Sequence, residues 1–430
     1  MTEPLKIALA GLGTVGAGVL SLLQSHAELI AARCGRALQV VAVSARDRQK
    51  DRGVDISQLA WFDDPVAMAQ ADDVDLVVEL IGGADGPAKA LVEAALDRGR
   101  HVVTANKALL AHHGTALAAR AEAGGACLGY EAAVAGGIPI IKSLREGLAA
   151  NRIDRLHGIL NGTCNYILTT MRETGREFED VLKEAQDLGY AEADPSFDID
   201  GVDAAHKLAI LTALAYGCEV DLNGVYVEGI RNITSLDIAY AEELGYRIKL
   251  LGLARRIDGK VEQRVHPCMV GRDTPIASVE GVFNAVVAEG DFVDSIVAEG
   301  RGAGAGPTAS AVVADIIDLA RGLRIPTFAV PASRLTVLPS QPMVQHVGCY
   351  YIRLMCVDQP GVIADVSAAL RDEEISVESL VQRGRDPDEA VPVVLTTHET
   401  QEAGMRRALA RIGQMDSVVE APRLIRIETL

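Results

Sequence analysis

Residues 5–16 read LKIALAGLGTVG, and this stretch decides the fold of the chain. Its first half, residues 5–10, is a short apolar run typical of a buried strand, and glycines follow at the spacing GxGxxG. The apolar positions after the glycines recur at helical spacing. Glycines between a strand and a helix let the backbone approach a pyrophosphate at the N-terminus of the helix. The pattern therefore predicts a dinucleotide-binding α/β domain with cofactor contacts at Gly11, Leu12, Gly13, Thr14, Val15 and Gly16.

The end of the second predicted strand bears on the choice of cofactor. Residues 38–43 form this strand, and Ser44 and Arg46 follow where an NAD-selective site usually carries an acid for the ribose 2′-hydroxyl. An arginine at this place accommodates a 2′-phosphate, so NADP is the first choice of cofactor. Asp47 keeps NAD possible, and the alternative interpretation of Arg46 is a solvated loop charge.

Two further predicted strands bring polar groups to the same edge of the sheet. Residues 75–83 end in a glycine pair near the expected nicotinamide, and residues 101–104 run into Asn106 and Lys107. Groups at the carboxyl ends of strands face the ligand in open α/β sheets. A lysine at a strand end is nevertheless by default a surface charge, so position alone does not decide the role of Lys107.

Carboxylates crowd residues 184–207, EAQDLGYAEADPSFDIDGVDAAHK. A nearly all-apolar helix is predicted from Val202 onward, with Asp203 and Lys207 on one stripe. The ordinary interpretation of such a pair is an i,i+4 contact on a solvated helix face. However, a lysine on a helix that is apolar all round is expected to be buried, which lowers its pKa and suits it to proton transfer. The functional interpretation is therefore favoured.

Written from Ala185 to Lys207 as A-xxx-G-Y-A-xx-D-P-xx-D-I-x-G-x-D-xxx-K, this stretch resembles the signature of homoserine dehydrogenases at every fixed position. The resemblance implies that Lys207 is the proton donor and acceptor and that Lys107 is a second catalytic residue and a cofactor contact. A second lysine in the cleft would lower the pKa of Lys207. The matching substrate positions are Glu192 for the amino group, Asp198 and Asp203 near the hydroxyl and the lysine, Tyr190, and Thr163 in the stretch NGTCNY.

The same resemblance implies a monovalent cation, usually sodium, held mainly by main-chain carbonyls at Glu131, Val134, Gly136 and Ile138. Carbonyl ligation leaves almost no trace in residue types, so this site rests on the resemblance alone. A second glycine-rich loop, residues 300–306, is expected to return the chain to the cofactor domain and to place Gly304 near the nicotinamide.

The last part of the chain predicts a separate module. Residues 331–348 are a candidate linker, and residues 349–430 show the pattern βαββαβ. The run DQPGVIA, which begins at Asp358, matches the turn of ACT regulatory domains, although Glu374 stands where that family usually has Asn. The resemblance implies an amino-acid site at Asp358 and Gly361, with threonine as the inhibitor. A chain that ends near Gly348 is expected to stay active and to lose this inhibition. The alternative is a ferredoxin-like dimerisation module without a ligand.

Composition disfavours several classes of function. The 430 residues carry a net charge of −18, which argues against nucleic acid or an anionic membrane as a partner. The seven cysteines are scattered without CxxC spacing, which predicts reduced thiols, no zinc site and a cytoplasmic location. No apolar run reaches the length of a membrane span, and the first residues do not read as a signal segment.

Together these features predict an α/β fold in three parts. A Rossmann-type dinucleotide-binding domain is expected at residues 1–146, completed by about 304–330, followed by an α+β substrate and dimerisation domain at 147–335 and a ferredoxin-like ACT domain at 349–430. The predicted function is the NADP-dependent interconversion of aspartate 4-semialdehyde and homoserine in threonine and methionine biosynthesis, by a monofunctional homo-oligomer (dimer or tetramer). The alternatives are a related dehydrogenase of another small amino-acid aldehyde and a non-catalytic sensor of nucleotide and amino acid.

Overall fold

The first part of the chain forms a parallel sheet with helices on both faces. The computed structural model describes residues 3–383 and 390–430. The first elements are β1 (Leu5–Ala10), α1 (Thr14–Ser25), α2 (Ala27–Cys34), β2 (Leu38–Ser44), β3 (Ala60–Phe62), α3 (Pro65–Gln70), β4 (Leu76–Glu79), α4 (Pro87–Asp97), β5 (His101–Thr104), α5 (Lys107–Ala123) and β6 (Leu128–Gly129).

The strand order is β3-β2-β1-β4-β5-β6, which is the order of dinucleotide-binding sheets. Side chains alternate across β1, so Ile7 and Leu9 pack on one face with α1 and α2, while Ala8 and Ala10 pack on the other face with α3 to α5. Because both faces are covered, the strand is apolar except for Lys6 near its start. The Rossmann-type prediction is confirmed.

The second part of the chain mixes helices with long antiparallel strands. Its elements are α6 (Ile140–Lys142), β7 (Ile153–Ile159), α7 (Gly162–Thr174), α8 (Phe178–Asp187), α9 (Ser196–Ile199), α10 (Val202–Tyr216), β8 (Val225–Val227), α11 (Ser235–Glu243), β9 (Tyr246–Ile257), β10 (Lys260–Gly271), β11 (Phe283–Gly290), β12 (Asp294–Arg301) and α12 (Ala305–Ala320). Helix α12 returns to the first sheet and packs against α1.

The third part has the predicted βαββαβ order. It consists of β13 (Val347–Val357), α13 (Val362–Asp372), β14 (Val377–Gln382), β15 (Ala390–Thr397), β16 (Thr400–Gln401), α14 (Glu402–Ile412) and β17 (Arg423–Glu428). The strand order β17-β13-β15-β14 is that of a ferredoxin-like sheet. Helices α13 and α14 cover one face, where they pack on Ile352 and Leu354.

The opposite face of this third sheet packs on the second part of the chain. Tyr351 and Ile425 belong to the same apolar cluster as residues of α10 and α11. Strand β17 also pairs in parallel with β10, through Cys268–Val270 and Arg426–Glu428. The second and third parts therefore share one continuous sheet, with strand order β12-β11-β7-β9-β10-β17-β13-β15-β14.

The predicted linker at residues 331–348 lies along the second part of the chain. The N–H of Val261 donates to the carbonyl of Pro339, and the N–H of Gln341 donates to the carbonyl of Val261, at 2.9 and 2.8 Å. These backbone bonds hold the segment beside β10.

Among the described residues, no single helix is long and apolar enough to span a membrane. One pair, α1 and α2, meets the criterion together on length and composition only, with a bend of 79° between the two helices.

Candidate active site

Lys107 lies at the carboxyl edge of the first sheet, where α5 begins. Asn106 caps this helix, because its side-chain oxygen accepts from the N–H of Leu109 at 3.0 Å. The same side chain donates to the carbonyl of Gly83 at 2.7 Å, which ties the helix start to the glycine pair after β4. The two contacts fix the backbone from which Lys107 enters the cleft.

Lys207 comes from α10, which is buried on nearly every side. The Lys207 side chain is 10% exposed, and its Nζ donates to the carbonyl of Leu160 and to Asp203, at 2.7 Å each. Burial lowers the pKa of Lys207, the nearby charge of Lys107 lowers it further, and Asp203 opposes the shift. The net pKa lies below the ordinary lysine value, which favours exchange of a proton.

Asp203 joins the two lysines. Its Oδ2 contacts Lys207, and its Oδ1 lies 3.0 Å from Nζ of Lys107. Burial alone would raise the pKa of Asp203, but the two lysines outweigh burial and hold the pKa well below its usual range. A single ionised carboxylate therefore orients both predicted catalytic lysines.

Asn161 completes this network, and sequence reasoning did not single it out. Its Nδ2 donates to Asp198 at 2.8 Å and to Asp203 at 2.9 Å, while its oxygen caps α7 by accepting from Cys164 at 2.8 Å. Burial raises the pKa of Asp198, and the charge of Asp203 adds to the effect. The Asn-Gly-Thr run at the start of a predicted helix was the available signal, since Asn is a preferred N-cap residue.

These groups lie in a cleft of about 590 Å³ between the first two parts of the chain. The predicted residues that line it are Val15, Lys107, Gly136, Thr163, Tyr190, Glu192, Asp198, Asp203, Lys207 and Gly304. Lining residues that were not predicted include Asn161, Asn284, Arg301 and Thr308.

The acidic stretch divides into two groups. Glu192 lines the cleft and is exposed. Asp198 and the buried Asp203 also line the cleft. Asp194 instead accepts from the backbone N–H of Ser196, and Asp200 pairs with Arg231 outside the cleft. Thr163 donates to the carbonyl of Tyr190 at 2.7 Å, which fixes the loop before Glu192.

The first glycine-rich loop has the shape that a dinucleotide requires. Gly11 has φ +97°, and a Cβ atom there would lie 2.4 Å from the carbonyl oxygen of Leu80. A Cβ at Gly16 would lie 2.0 Å from the carbonyl oxygen of Gly11, whereas the position at Gly13 is open. Gly13 is the N-cap of α1 and makes no side-chain capping bond, so the helix N–H groups face open space. The loop therefore fits a nicotinamide dinucleotide.

The second glycine-rich loop borders the same cleft. Gly304 has φ +123° and is the N-cap of α12, again without a side-chain cap. A Cβ at Gly136 would lie 2.3 Å from the carbonyl oxygen of Gly302, so the loop packs closely on the turn predicted to hold a cation.

That turn is buried and has unusual backbone geometry. Ala135 and Gly136 both have positive φ, at 56° and 53°. The carboxylate of Glu131 accepts from the N–H groups of Ile141 and Lys142 at 2.8 and 2.9 Å, so its side chain is already engaged. The cation site expected at the carbonyls of Glu131, Val134, Gly136 and Ile138 stays a prediction.

Three predicted residues, Arg46, Asp358 and Gly361, lie away from the cleft. Arg46 is exposed beyond β2, whose last residue, Ser44, is buried. In the third part, Gly361 has φ +100° and is the N-cap of α13, and Asp358 accepts from Gln382 at 3.5 Å. Glu374 has φ +59°, a conformation that Asn tolerates better than Glu.

Comparison with known proteins agrees with this arrangement. The model of the homoserine dehydrogenase NAD-binding domain matches residues 11–131, the homoserine dehydrogenase model matches residues 139–317, and the ACT domain model matches residues 350–414. The matches confirm the predicted fold class and identify the C-terminal part of the chain as an ACT domain.

Similar proteins cover the whole chain. A homoserine dehydrogenase of Neisseria gonorrhoeae is 46% identical over 434 residues, which span 100% of this chain and 99% of that protein. The crystal structure of a homoserine dehydrogenase from Thiobacillus denitrificans matches with a TM-score of 0.93 and 47% identity, over 99% of this chain and 98% of that chain. A hyperthermophilic archaeal homoserine dehydrogenase in complex with NADPH matches with a TM-score of 0.64 and 28% identity, over 75% of this chain and 99% of that chain. The chain therefore belongs to the homoserine dehydrogenase family, as an oxidoreductase that acts on a CH–OH group with a nicotinamide cofactor and carries a C-terminal ACT domain.

Proposed function

We propose that the chain catalyses the reversible, NADP-preferring reduction of L-aspartate 4-semialdehyde to L-homoserine, a step toward threonine and methionine. The observation that carries the proposal is the contact of Asp203 with both Lys207 and Lys107 inside the cleft. A sensor of nucleotide and amino acid would have no need of two lysines held on one carboxylate.

Each group in the cleft has a defined task in this reaction. When bound, the nicotinamide exchanges a hydride with the substrate carbon. Lys207 gives a proton to the substrate oxygen in reduction and takes it in oxidation, and its lowered pKa makes the neutral amine accessible. Asp203 and Lys107 fix the position of the Lys207 ammonium group. Asn161 donates hydrogen bonds to both Asp203 and Asp198 and so holds Asp198 near them. The protein thus contributes orientation and electrostatics.

The choice of NADP is supported by the end of β2. No acid stands at Ser44, and Arg46 is exposed where it can reach a 2′-phosphate. The similar archaeal enzyme is described in complex with NADPH. A monovalent cation, Na⁺ by resemblance, is proposed at the carbonyls of Val134, Gly136 and Ile138, with Glu131 at the start of that turn.

A spectrophotometric assay tests the reaction and the cofactor choice together. L-Homoserine with NADP should give NADPH with a higher kcat/KM than the same reaction with NAD. Turnover of another small hydroxy amino acid in preference to homoserine would contradict the proposed substrate.

Arg46→Asp is expected to shift the preference from NADP toward NAD. The new carboxylate would repel a 2′-phosphate and could accept a hydrogen bond from a free 2′-hydroxyl. The ratio of kcat/KM for the two cofactors measures the shift, and Lys50→Asp, farther along the same exposed loop, is the matched control. An unchanged ratio in Arg46→Asp would show that other residues decide the cofactor.

Glu192→Gln is expected to raise KM for homoserine far more than KM for NADP. The carboxylate is proposed to pair with the substrate ammonium, and the amide keeps the shape without the charge. Initial rates at varied concentrations of each substrate measure both constants, with Glu179→Gln on the exposed face of α8 as the control. Equal effects on both constants would place Glu192 outside the substrate pocket.

Regulation by L-threonine at the turn of Asp358 and Gly361 is also part of the proposal. The ACT family match supports it, as does the uncapped N-terminus of α13 at Gly361, which suits a carboxylate.

The division into domains at 1–146 with 304–330, 147–335 and 349–430 is supported by the packing of α12 on α1. A homo-oligomer is proposed as well, and the exposed Phe292 beside edge strand β12 suits a contact between copies.

A further inference from the structure

A second cavity, of about 410 Å³, lies where the ACT sheet meets the substrate domain. One wall is the loop at residues 228–233 with the start of α11, and the other wall is residues 422–425 at the start of β17. Liquid water occupies roughly 30 Å³ per molecule, so the cavity has room for a small organic ligand with water around it. It is separate from the cleft that holds Lys207.

Two arginines lie side by side behind the ACT wall, and of the two only Arg423 lines the cavity. Arg353 of β13 and Arg423 of β17 are directly opposite each other in an antiparallel pair, so their side chains leave the same face of the sheet. Arg353 is 4% exposed and binds Asp237 through two hydrogen bonds, at 2.7 and 3.2 Å. Like charges directly opposite in a sheet repel each other, and Asp237 compensates only Arg353.

Arg423 is the arginine that has no such partner. Its Nε is buried. Within residues 3–383 and 390–430, this atom has no hydrogen-bond acceptor, and the guanidinium of Arg423 makes no ion pair. A buried donor without an acceptor is unfavourable, and a charged donor more so. Arg423 lines the cavity, so a carboxylate there would pair with its guanidinium charge and reduce the repulsion from Arg353.

The opposite wall has the complementary character. Glu228 lines it and is 39% exposed, although it already pairs with Arg426 at 2.7 Å. Asn232 is exposed on the same loop and adds a polar amide. Ile233 and Ile425 supply apolar surface between the two polar walls. A cationic wall, an anionic wall and an apolar floor match a small zwitterion with a short side chain.

We propose that this interdomain cavity binds a small α-amino acid, with its carboxylate on Arg423 and its ammonium toward Glu228 and Asn232. The site is distinct from the turn at Asp358 and Gly361. Binding here does not depend on the proposed reaction, whereas an effect on turnover does.

The loop that forms the cavity also touches the catalytic machinery. The N–H of Ile230 donates to the carbonyl of Ile199 in α9 at 2.9 Å, and a Cβ at Gly229 would lie 2.2 Å from the same oxygen. Asp198, which accepts from Asn161, precedes Ile199 on that helix. A ligand that holds the loop against β17 would therefore bias the position of Asp198, provided that it binds one arrangement of the loop more tightly than another.

Calorimetric titration of the full-length chain with L-threonine tests the site, with 3-hydroxybutyrate and L-threoninol as probes that lack the ammonium or the carboxylate. The wild type should bind L-threonine, and it should bind each of the two analogues much more weakly. Arg423→Gln should weaken binding at least about tenfold, as expected for a lost charged hydrogen bond, and Arg423→Lys should weaken it less. Asn232→Trp, which fills space without changing charge, should also weaken it. The exposed Arg371 offers the matched control, Arg371→Gln, which should bind as the wild type does.

Three binding results would overturn the proposal. The first is binding in Arg423→Gln that equals the wild type. The second is loss of all threonine binding in Gly361→Asp or in Glu192→Gln alone, which would leave no threonine bound in the interdomain cavity. The third is no heat of binding for L-threonine at millimolar concentration. Thermal unfolding distinguishes a loss of binding from a loss of folding. Removing an unpaired charge in Arg423→Gln should leave Tm unchanged or raise it. A marked fall in Tm for Arg423→Gln would contradict the premise that Arg423 lacks a partner. Turnover of homoserine, measured separately, reports on the reaction and not on this site.

Discussion

Replacing Lys207 by alanine is expected to lower kcat for homoserine oxidation by a factor on the order of 10²–10⁴, the usual contribution of a general acid–base group. Lys207 is proposed to move the hydroxyl proton, and no other amine is held by both Asp203 and the carbonyl of Leu160 in the described part of the chain. NADP binding should change little, because the glycine-rich loop and not Lys207 fits the dinucleotide. Steady-state kinetics and a separate cofactor titration measure the two effects.

The pH dependence gives a second readout of the same residue. Oxidation needs the neutral amine, so kcat should rise with pH until Lys207 has lost its proton, at a pKa below the ordinary lysine value because the side chain is buried. Lys207→Ala should lose this rise along with the activity. Lys207→Met keeps the apolar stem without the charge and separates the proton transfer from packing, and Lys183→Ala on the exposed face of α8 is the control. A variant at Lys207 that kept more than about a tenth of kcat would contradict the assigned role.

The parts of this site that sequence could predict are those with a local pattern. The spacing of Asp203 and Lys207 along a helix sets their contact, since residues four apart meet on one face. The position of Lys107 after a parallel strand likewise predicts the edge of the sheet to which it belongs. In contrast, the bonds of Asn161 to Asp198 and Asp203 join segments 37 and 42 residues apart, and no periodicity records such a contact.

The shared sheet could not be predicted for a similar reason. Residues 264, 426 and 428 carry Arg, Arg and Glu, which in a strand usually indicate an exposed or edge position. In the structure Arg264 and Arg426 are each 2% exposed, because each charge is matched by carboxylates from another segment. The pairing of β10 with β17 depends on this long-range match and not on the local sequence.

Removal of residues 349–430 is expected to destabilise the catalytic part of the chain and to promote its aggregation. The sequence alone favoured an active chain ending near Gly348, but the continuous sheet changes that expectation. Loss of β17 would expose the edge of β10, and exposed edges pair with other chains. The truncation would also break two buried ion pairs. Arg264 would lose Glu428, and Asp237, which belongs to the capping box of α11, would lose Arg353. Breaking a buried pair by removing one partner typically costs about 3–5 kcal/mol, less where water can enter.

Thermal unfolding and size-exclusion chromatography of residues 1–348 and of the full-length chain measure this effect. Arg426→Met in the full-length chain is the graded comparison, since it removes the buried arginine that pairs with Glu402 and Glu228 and leaves them the more exposed Arg406, while β17 stays in place. We expect a lower Tm for Arg426→Met and a still lower Tm, with aggregates, for the truncated chain. A monomeric or uniformly oligomeric truncated chain with wild-type Tm and kcat would show that the junction is not needed for the catalytic fold.

The similar archaeal enzyme matches 75% of this chain over 99% of its own length, so a member of the family can be shorter than this chain. The requirement expected here comes from particular buried charges that β10 and α11 present to the tail, namely Arg264 and Asp237. It follows that loss of activity on truncation would report on folding and not on regulation. Gly361→Asp is the more direct test of the ACT turn, because the turn lies away from the β10–β17 pairing. The substitution places a side chain on a residue with φ +100°, so local strain and a modest fall in Tm are expected. Loss of threonine inhibition in that variant, with kcat close to wild type and without the aggregation expected of the truncated chain, would separate regulation from the stability that the shared sheet provides.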